Sequence, residues 1–252
     1  MNTFIQKQLK YRSIRKYQDK AIEKEKAQLY LEVMRRTACR GSHAYSVIRI
    51  ADQQLKHRIA EAIKQDYVKA LPELMIFVID LYRSKQIANL KAPEVEHHFY
   101  FDQWLVSIGD TYLAAQNMMN AIEADGLGGL FLSTVADNVP VIRDLLSLPE
   151  LTFPILGLGF GYPAEDPELS PRLPLDIKVS TNTYGSLEGK YQALCEYDTE
   201  IRAYQAKVRG GEGISFTEAT VNRVTSKPSP YAYLLNDFKD AGVDLCIRDF
   251  ES

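Results

Sequence analysis

The distribution of apolar and polar positions along the chain predicts a mixture of helices and strands. Helices are predicted at 2–10, 23–38, 55–63, 99–125, 139–149, 186–205, 216–224 and 230–242, and at 55–63 the apolar residues recur every three or four positions. Strands are predicted where short apolar or β-branched runs occur, at 46–52, 73–81, 130–135 and 153–163. Helices outnumber strands, so the pattern indicates a layered α+β domain.

Two of these segments are expected to lie at the centre of the fold. The run 73–81 is continuously apolar, which is typical of a strand buried on both faces. The segment 99–125 contains no proline and is apolar on most sides, so it predicts the longest helix. The stretch GLGG at 126–129 is expected to end that helix. Asp19 is expected to cap the helix at 23–38.

The last third of the chain differs from the rest. Its segments are polar and charged, and it contains too few apolar residues for a core of its own. We therefore expect it to wrap around the main body or around a partner subunit. The stretch RGGEG at 209–213 predicts a loop or a hinge within this part of the chain.

Composition and charge exclude several classes of protein. The chain has 252 residues and a net charge of −3, so no overall positive field favours nucleic acid or an anionic membrane. No apolar run reaches the roughly 18 residues of a membrane span, and the N-terminus lacks the apolar stretch of a secretory signal. Cys39, Cys195 and Cys246 are widely spaced and indicate neither a disulfide framework nor a zinc site. These features predict a cytoplasmic protein.

The sequence lacks the motifs that identify common catalytic sites. The stretch GLGFG at 157–161 does not have the spacing of a dinucleotide-binding loop, because Pro163 follows where a helix would begin. There is no Walker A sequence and no G-x-S-x-G elbow, and the four histidines form no Ser/His/Asp set. An enzyme with this sequence would therefore rely on a cofactor for its chemistry.

Arginines mark two candidate anion sites. The stretch YRSIRKY at 11–17 places Arg12 and Arg15 at an element boundary, and a planar guanidinium suits phosphate oxygens and heterocycle carbonyls. In SPRLP at 170–174, prolines flank Arg172, restrict the loop and preorganise the side chain. Taken singly, each arginine is better explained as a solvated surface residue, so any role rests on the combination.

Three stretches, taken in order, resemble the flavin-dependent nitroreductases: YRSIR, GLGGLFL after the longest helix, and LPELTFPILGLGFGYPAEDPELSPRLP. The chain is most similar to the branch of NADPH-flavin oxidoreductases and oxygen-insensitive (group A) nitroreductases. The resemblance implies an α+β fold with a mixed sheet surrounded by helices. It also implies an FMN-containing homodimer with active sites at the subunit interface. Residues 1–185 would form the FMN-binding core. Residues 186–252 would be an extension of the same domain that wraps the dimer partner and supplies the nicotinamide-side loop.

The resemblance further implies which residues contact FMN. Arg12 and Ser13 would engage the phosphate and ribityl region, while Arg15 would stabilise negative charge at the N1/O2 side of the ring. Arg172 would bind the phosphate, and Gln65 would hydrogen-bond the flavin. The remaining cofactor-binding candidates are neighbours of these residues or stand beside the ring, namely Tyr11, Tyr67, Phe131, Leu132, Ser133, Thr134 and Ser170. No side chain is expected to act as a catalytic acid or base, and no metal is expected.

Four residues depart from the family pattern. Tyr11 stands where the family commonly has histidine, and Ser170 stands where it has a lysine that shares the phosphate. The pair Ser133-Thr134 stands where it commonly has two glycines. In relatives, an arginine-bearing loop holds the 2′-phosphate of NADPH, and the cations available here are Lys207, Arg209 and Arg223. NADPH or NADH is therefore the implied co-substrate.

The resemblance implies a ping-pong reaction. Reduced nicotinamide would pass hydride to FMN, and two electrons would then go to a nitroaromatic, a quinone or free flavin. Three alternatives remain open. They are an FMN-binding or sensing module without reductase activity, an enzyme of the same superfamily with other chemistry such as dehalogenation, and an α+β domain with incidental arginines.

Overall fold

The computed structural model describes residues 2–228 and 234–245. The chain divides into two compact units, of which the second is Glu168–Lys227 and the first comprises the described residues on either side of it. The prediction that residues 1–185 and 186–252 are two parts of one domain stays a prediction.

The first unit is organised around a four-stranded sheet. Its strands are β1 (Tyr45–Arg49), β2 (Glu73–Asp80), β3 (Gly128–Leu132) and β4 (Thr152–Gly161), in the order β1-β2-β4-β3. Every neighbouring pair is antiparallel. The resemblance implied a mixed sheet, but the described strands form an antiparallel one, because each central strand runs opposite to both of its neighbours. All of β4 and all but the last residue of β2 are buried, which confirms the prediction for 73–81.

Helices pack against both faces of this sheet. The helices of this unit are α1 (Thr3–Gln8), α2 (Lys24–Arg35), α3 (Gln53–Ala62), α4 (Leu81–Lys91), α5 (Phe101–Ala124) and α6 (Val139–Leu145), with 3₁₀ helices at Asp66–Ala70 and Ser133–Asn138. Successive residues of β2 point to opposite faces. Met75 and Phe77 pack in the core that contains α5, whereas Leu74 and Ile76 pack in the core that contains α3 and α6.

The second unit contains three helices within the described residues, α7 (Leu175–Lys178), α8 (Tyr191–Arg209) and α9 (Phe216–Thr225). Helix α9 begins with a capping box, in which the side chains of Ser215 and Glu218 each accept a backbone N–H of the other. Between α8 and α9, Gly213 has a φ of 69°, and a Cβ atom there would lie 2.3 Å from the carbonyl oxygen of Arg202. The stretch at 209–213 was predicted to be a loop or a hinge, and the structure shows a loop. Gly213 in this loop packs closely on α8.

Residues near the end of the chain belong to the core of the first unit. Phe238, on helix α10 (Leu234–Asp240), is fully buried. Its ring centroid lies 4.2 Å from that of Trp104 and 4.3 Å from that of Phe153. These described residues therefore pack on the main body of their own chain. Part of the predicted helix at 230–242 and Cys246 lie outside the described residues.

Several element boundaries differ from the sequence predictions. Helix α4 was not predicted, although Asp80 marks its start by accepting the N–H of Arg83 at 2.9 Å. Asp19 does not cap α2, because that helix begins at Lys24 and Glu23 occupies its N-cap position.

The predicted strand 130–135 is also displaced. Gly126, with a φ of 84°, follows the end of α5, whereas Gly128 and its neighbour open β3. The strand ends at Leu132, and a 3₁₀ helix replaces its predicted last residues. The predicted helix at 139–149 ends earlier, at Leu145.

No helix in the described part of the chain is long and apolar enough to cross a membrane. The same residues contain no cluster of histidine, cysteine and acidic side chains that could hold a metal ion. Cys39 and Cys195 are free thiols.

Candidate functional site

The segment that carries the two N-terminal arginines lies against the start of β3. The N–H of Ile14 donates to the carbonyl of Gly129 at 3.0 Å, and the Ile14 side chain is buried. A Cβ atom at Gly128 would lie 2.5 Å from the side chain of Ile14, so only glycine permits this close approach. The backbone between the two arginines is therefore fixed to the sheet.

Glu165 fixes the same segment without forming an ion pair with its arginines. Its carboxylate accepts the N–H of Arg15 at 2.6 Å and that of Lys16 at 3.0 Å. The hydroxyl of Tyr17 donates to the carbonyl of Ile14 at 2.6 Å, and burial raises the pKa of Tyr17 well above its usual range. The Arg15 side chain is exposed, and no carboxylate among the described residues lies within ion-pair distance of it. Its positive charge is thus available to an anion.

Arg12 differs from Arg15 because the protein supplies its partners. One guanidinium nitrogen lies 2.7 Å from the carboxylate of Asp166, and the other donates to the carbonyl of Pro167 at 2.8 Å. The Asp166 side chain is 83% exposed, so solvent weakens this ion pair. The predicted contact of Arg12 with a phosphate stays a prediction.

A chain of contacts links Arg15 to three more of the predicted site residues. The guanidinium of Arg15 lies 5.7 Å from the ring centroid of Tyr67, within the range of a cation–π contact. The hydroxyl of Tyr67 donates to the side-chain carbonyl of Gln65. The amide nitrogen of Gln65 donates to the hydroxyl of Thr134 at 3.0 Å. Three segments that are distant in sequence thus meet in one hydrogen-bonded cluster.

Five other predicted residues of the first unit are not part of this cluster. Tyr11 and Phe131 are half-buried and pack against the core that contains α5. Leu132 is buried in the opposite core. Ser13 is half-buried and Ser133 is exposed, and neither side chain forms a hydrogen bond with the rest of the described chain.

In the second unit, the predicted phosphate-binding residues contact each other. The guanidinium of Arg172 donates to the hydroxyl of Ser170 at 2.7 Å. The described residues provide no carboxylate partner for Arg172, which is exposed. This pair presents a positive charge and a hydroxyl group together.

The three candidate cations for the nicotinamide phosphate differ in their partners. Lys207 forms an ion pair with Glu168. Arg209 and Arg223 are exposed and have no carboxylate partner within the part of the chain that the structure describes. Arg209 and Arg223 are therefore the more available of the three.

A cavity of about 220 Å³ adjoins Arg12 and contains a half-buried carboxyl group, that of Glu123. Burial raises the pKa of Glu123 to about 7. Lys7 lines the same cavity, but its ammonium group donates to the carbonyl of Ala124 at 2.6 Å. The carboxyl group thus takes up a proton near neutral pH.

Replacing Glu123 should change the pH dependence of stability. Between about pH 4.5 and 7 the folded protein binds a proton at Glu123 that the unfolded chain has lost, so the free energy of unfolding falls as pH rises. Glu123→Gln should remove this fall and gain about 1 kcal/mol at pH 8, after allowance for solvent screening, with almost no gain near pH 4. Urea unfolding at both pH values measures the difference, with Glu94→Gln, at an exposed glutamate, as the control. An equal effect of Glu123→Gln at both pH values would contradict the assignment.

Three residues of the site were missed by sequence reasoning. Glu165 and Asp166 bind the arginine segment from about 150 positions away in sequence. The only sequence signal for them is the acidic stretch AEDPE at 164–168, which lies beside the motif that carries Arg172. Glu123 gave no signal, because its significance depends on burial.

Comparisons with known proteins show which family the chain resembles. Residues 10–162 match the model of the nitroreductase family, and residues 170–245 match the model of its C-terminal domain. An NADPH-dependent oxidoreductase of Staphylococcus aureus is 32% identical over 77% of this chain and 80% of its own length. An FMN reductase (NADPH) of Bacillus subtilis is 29% identical over 94% and 96% of the two chains. The solved structure of a nitroreductase from B. subtilis superposes with a TM-score of 0.86 at 27% identity, covering 96% of this chain and 99% of that one.

Proposed function

Because this chain belongs to the nitroreductase family, we propose that it is an NADPH-dependent flavin oxidoreductase that uses FMN to reduce small molecules. The names of its relatives, an FMN reductase (NADPH) and a nitroreductase, support this assignment. The single observation that carries it is the Arg15 guanidinium. This cation is exposed and unpaired among the described residues, on a backbone that Glu165 holds in place.

The residues present fit FMN chemically. A flavin ring presents carbonyl groups and ring nitrogens, which require hydrogen-bonding partners. Gln65 and Thr134 provide amide and hydroxyl groups in the cluster that Tyr67 links to the Arg15 cation. A phosphate requires a cation, and Arg172 offers one together with the hydroxyl of Ser170.

The chain itself contributes binding and electrostatics. FMN, when bound, supplies the redox chemistry, taking reducing equivalents from NADPH and passing two electrons to an acceptor. Arg15 would hold positive charge where the reduced ring gains negative charge, in a position that is fixed before the reaction. Arg12 and Ser13 would contribute to the phosphate and ribityl region. No side chain is assigned as a proton donor, because solvent can supply the proton.

The acceptors that we propose are nitroaromatics, quinones and free flavin, reduced in a ping-pong reaction after the oxidised nicotinamide has left. Arg209 and Arg223 are the proposed partners of the 2′-phosphate of NADPH, because Lys207 is already paired with Glu168. NADPH is accordingly expected to be used in preference to NADH.

We also propose that the protein acts as a homodimer, as exposed apolar side chains support. Leu9, at the end of α1, is 68% exposed, and Leu105 and Leu113 of α5 are 56% and 54% exposed. In the second unit, Leu175 and Val224 are each 76% exposed. Burial of exposed apolar side chains favours association. A second subunit would cover these side chains, with the second unit extending over the partner.

A titration with FMN followed by anaerobic reduction tests the proposal. The purified protein should bind FMN, its flavin absorbance should bleach on addition of NADPH, and a quinone should restore it. Protein that binds FMN but is bleached by neither NADPH nor NADH would instead be an FMN-binding module. Protein that fails to bind added FMN would contradict every flavin-based interpretation.

A further inference from the structure

The hydroxyl of Thr134 is hydrogen-bonded to the side chain of Gln65. Thr134 is in the 3₁₀ helix that follows β3, while Gln65 immediately precedes the 3₁₀ helix at Asp66–Ala70. The two side chains are joined by the 3.0 Å hydrogen bond from the Gln65 amide nitrogen. Thr134 is half-buried, and its carbonyl accepts the side-chain amide of Asn138 at 3.0 Å. The threonine is therefore anchored independently of Gln65.

The direction of the hydrogen bonds in this cluster follows from the donor and acceptor groups. The side-chain carbonyl of Gln65 can only accept, so the hydroxyl of Tyr67 donates to it. The amide nitrogen of Gln65 can only donate, so the oxygen of Thr134 accepts. The hydroxyl proton of Thr134 then has no acceptor among the described residues. The chain of hydrogen bonds begins at Tyr67, beside the Arg15 cation, and ends in a free donor at Thr134.

We infer that Thr134 is a positioning residue of the flavin site, which fixes the amide of Gln65 and directs a hydroxyl donor towards an acceptor atom of the cofactor. This inference rests on the proposed function, since it needs FMN as the ligand. Where glycine occupies this position, as the family resemblance implies for many relatives, neither contact exists. The Thr134 hydroxyl therefore contributes both to the orientation of Gln65 and to the hydrogen-bond donors that the site offers.

Three substitutions of Thr134 distinguish the effect of its hydroxyl group from the effect of its side-chain shape. Thr134→Val keeps the branched shape and removes the hydroxyl, whereas Thr134→Ser keeps the hydroxyl. Thr134→Gly removes both. Thr220→Val is the matched control, because Thr220 is exposed on α9 and its hydroxyl bonds only to the carbonyl of Phe216 in its own helix.

The first measurement is the FMN dissociation constant, by titration of apoprotein followed through flavin fluorescence. Thr134→Val should raise the dissociation constant about 2- to 12-fold, as expected for the loss of one neutral hydrogen bond, and should shift the absorption maximum of bound flavin. Thr134→Ser should restore both values, and Thr220→Val should change neither. A merely structural role would lower the melting temperature without shifting the spectrum of the bound flavin.

The second measurement needs no flavin. The side-chain amide signals of Gln65 in ¹⁵N-labelled apoprotein, identified by their loss in Gln65→Met, should move in Thr134→Val and stay in place in Thr134→Ser. The inference is wrong if wild-type protein binds FMN while Thr134→Val matches it in affinity, spectrum and Gln65 signals. Wild-type protein that binds no FMN would overturn the proposed function as well, so the two failures are distinguishable.

Discussion

Arg15→Ala is expected to slow the reduction of bound FMN by NADPH about 100- to 1,000-fold. Removing one preorganised electrostatic group from an active site typically costs about 2.7–4 kcal/mol of transition-state stabilisation. Arg15 is the exposed cation of the cluster, and no carboxylate in the described part of the chain neutralises it. Stopped-flow measurement of the flavin absorbance under anaerobic conditions, with saturating FMN, gives the rate constant directly.

Two further variants test whether the slower reduction of FMN results from losing the positive charge of Arg15. Arg15→Lys keeps the charge but loses the planar fork, so it should recover part of the rate. Lys16→Ala removes a neighbouring exposed cation whose backbone N–H also bonds to Glu165, and it should reduce FMN at the wild-type rate. If Arg15→Ala reduces FMN as fast as wild type, Arg15 is not the electrostatic group of the site.

Arg172→Ala is expected to weaken FMN binding about 10- to 100-fold while changing the reduction rate of the fully loaded protein much less. A hydrogen bond to a charged group contributes about 1.5–3 kcal/mol, and Arg172 has no carboxylate partner among the described residues that would compete with a phosphate. Because Ser170 offers a hydroxyl and no second charge, the loss of Arg172 leaves little compensation. Equilibrium titration of apoprotein with FMN measures the change.

The dependence of FMN affinity on ionic strength, together with a control variant, tests whether the charge of Arg172 binds the phosphate. The affinity of the wild type for FMN should fall with ionic strength more steeply than that of Arg172→Ala, because a charge pair is lost in the variant. Lys178→Ala removes an exposed cation of the same unit and should bind FMN as wild type does. Equal FMN affinities for wild type and Arg172→Ala would assign the phosphate to another residue.

Local sequence pattern predicted the parts of the fold that depend on neighbouring residues. The run at 73–81 and the segment at 99–125 became β2 and α5 because continuous apolarity and helical periodicity act over a few positions. Helix α4 was missed, since its residues are largely exposed and its apolar pattern is weak. The antiparallel arrangement of the sheet could not be predicted, because strand direction depends on contacts between distant segments.

The candidate site likewise has residues that the sequence indicated and a contact that it did not. The resemblance selected Arg15, Gln65, Tyr67 and Thr134, and the structure places these four in one cluster. The resemblance did not indicate that the hydroxyl of Thr134 would accept a hydrogen bond from the side-chain amide of Gln65. That contact depends on how two 3₁₀ helices meet, and neither helix has a strong periodic signal of its own.

The attachment of the arginine segment has a consequence for how the protein is made. Arg12 and the backbone of Arg15 bind residues that follow them by 155 and 150 positions. During synthesis the arginines leave the ribosome before their partners, which emerge only after β4 is complete. The flavin site that we propose therefore cannot form its Arg12 and Arg15 contacts until at least Pro167 has been translated. A nascent chain stopped between Gly161 and Glu165 should retain no FMN, although all four described strands would already have been synthesised.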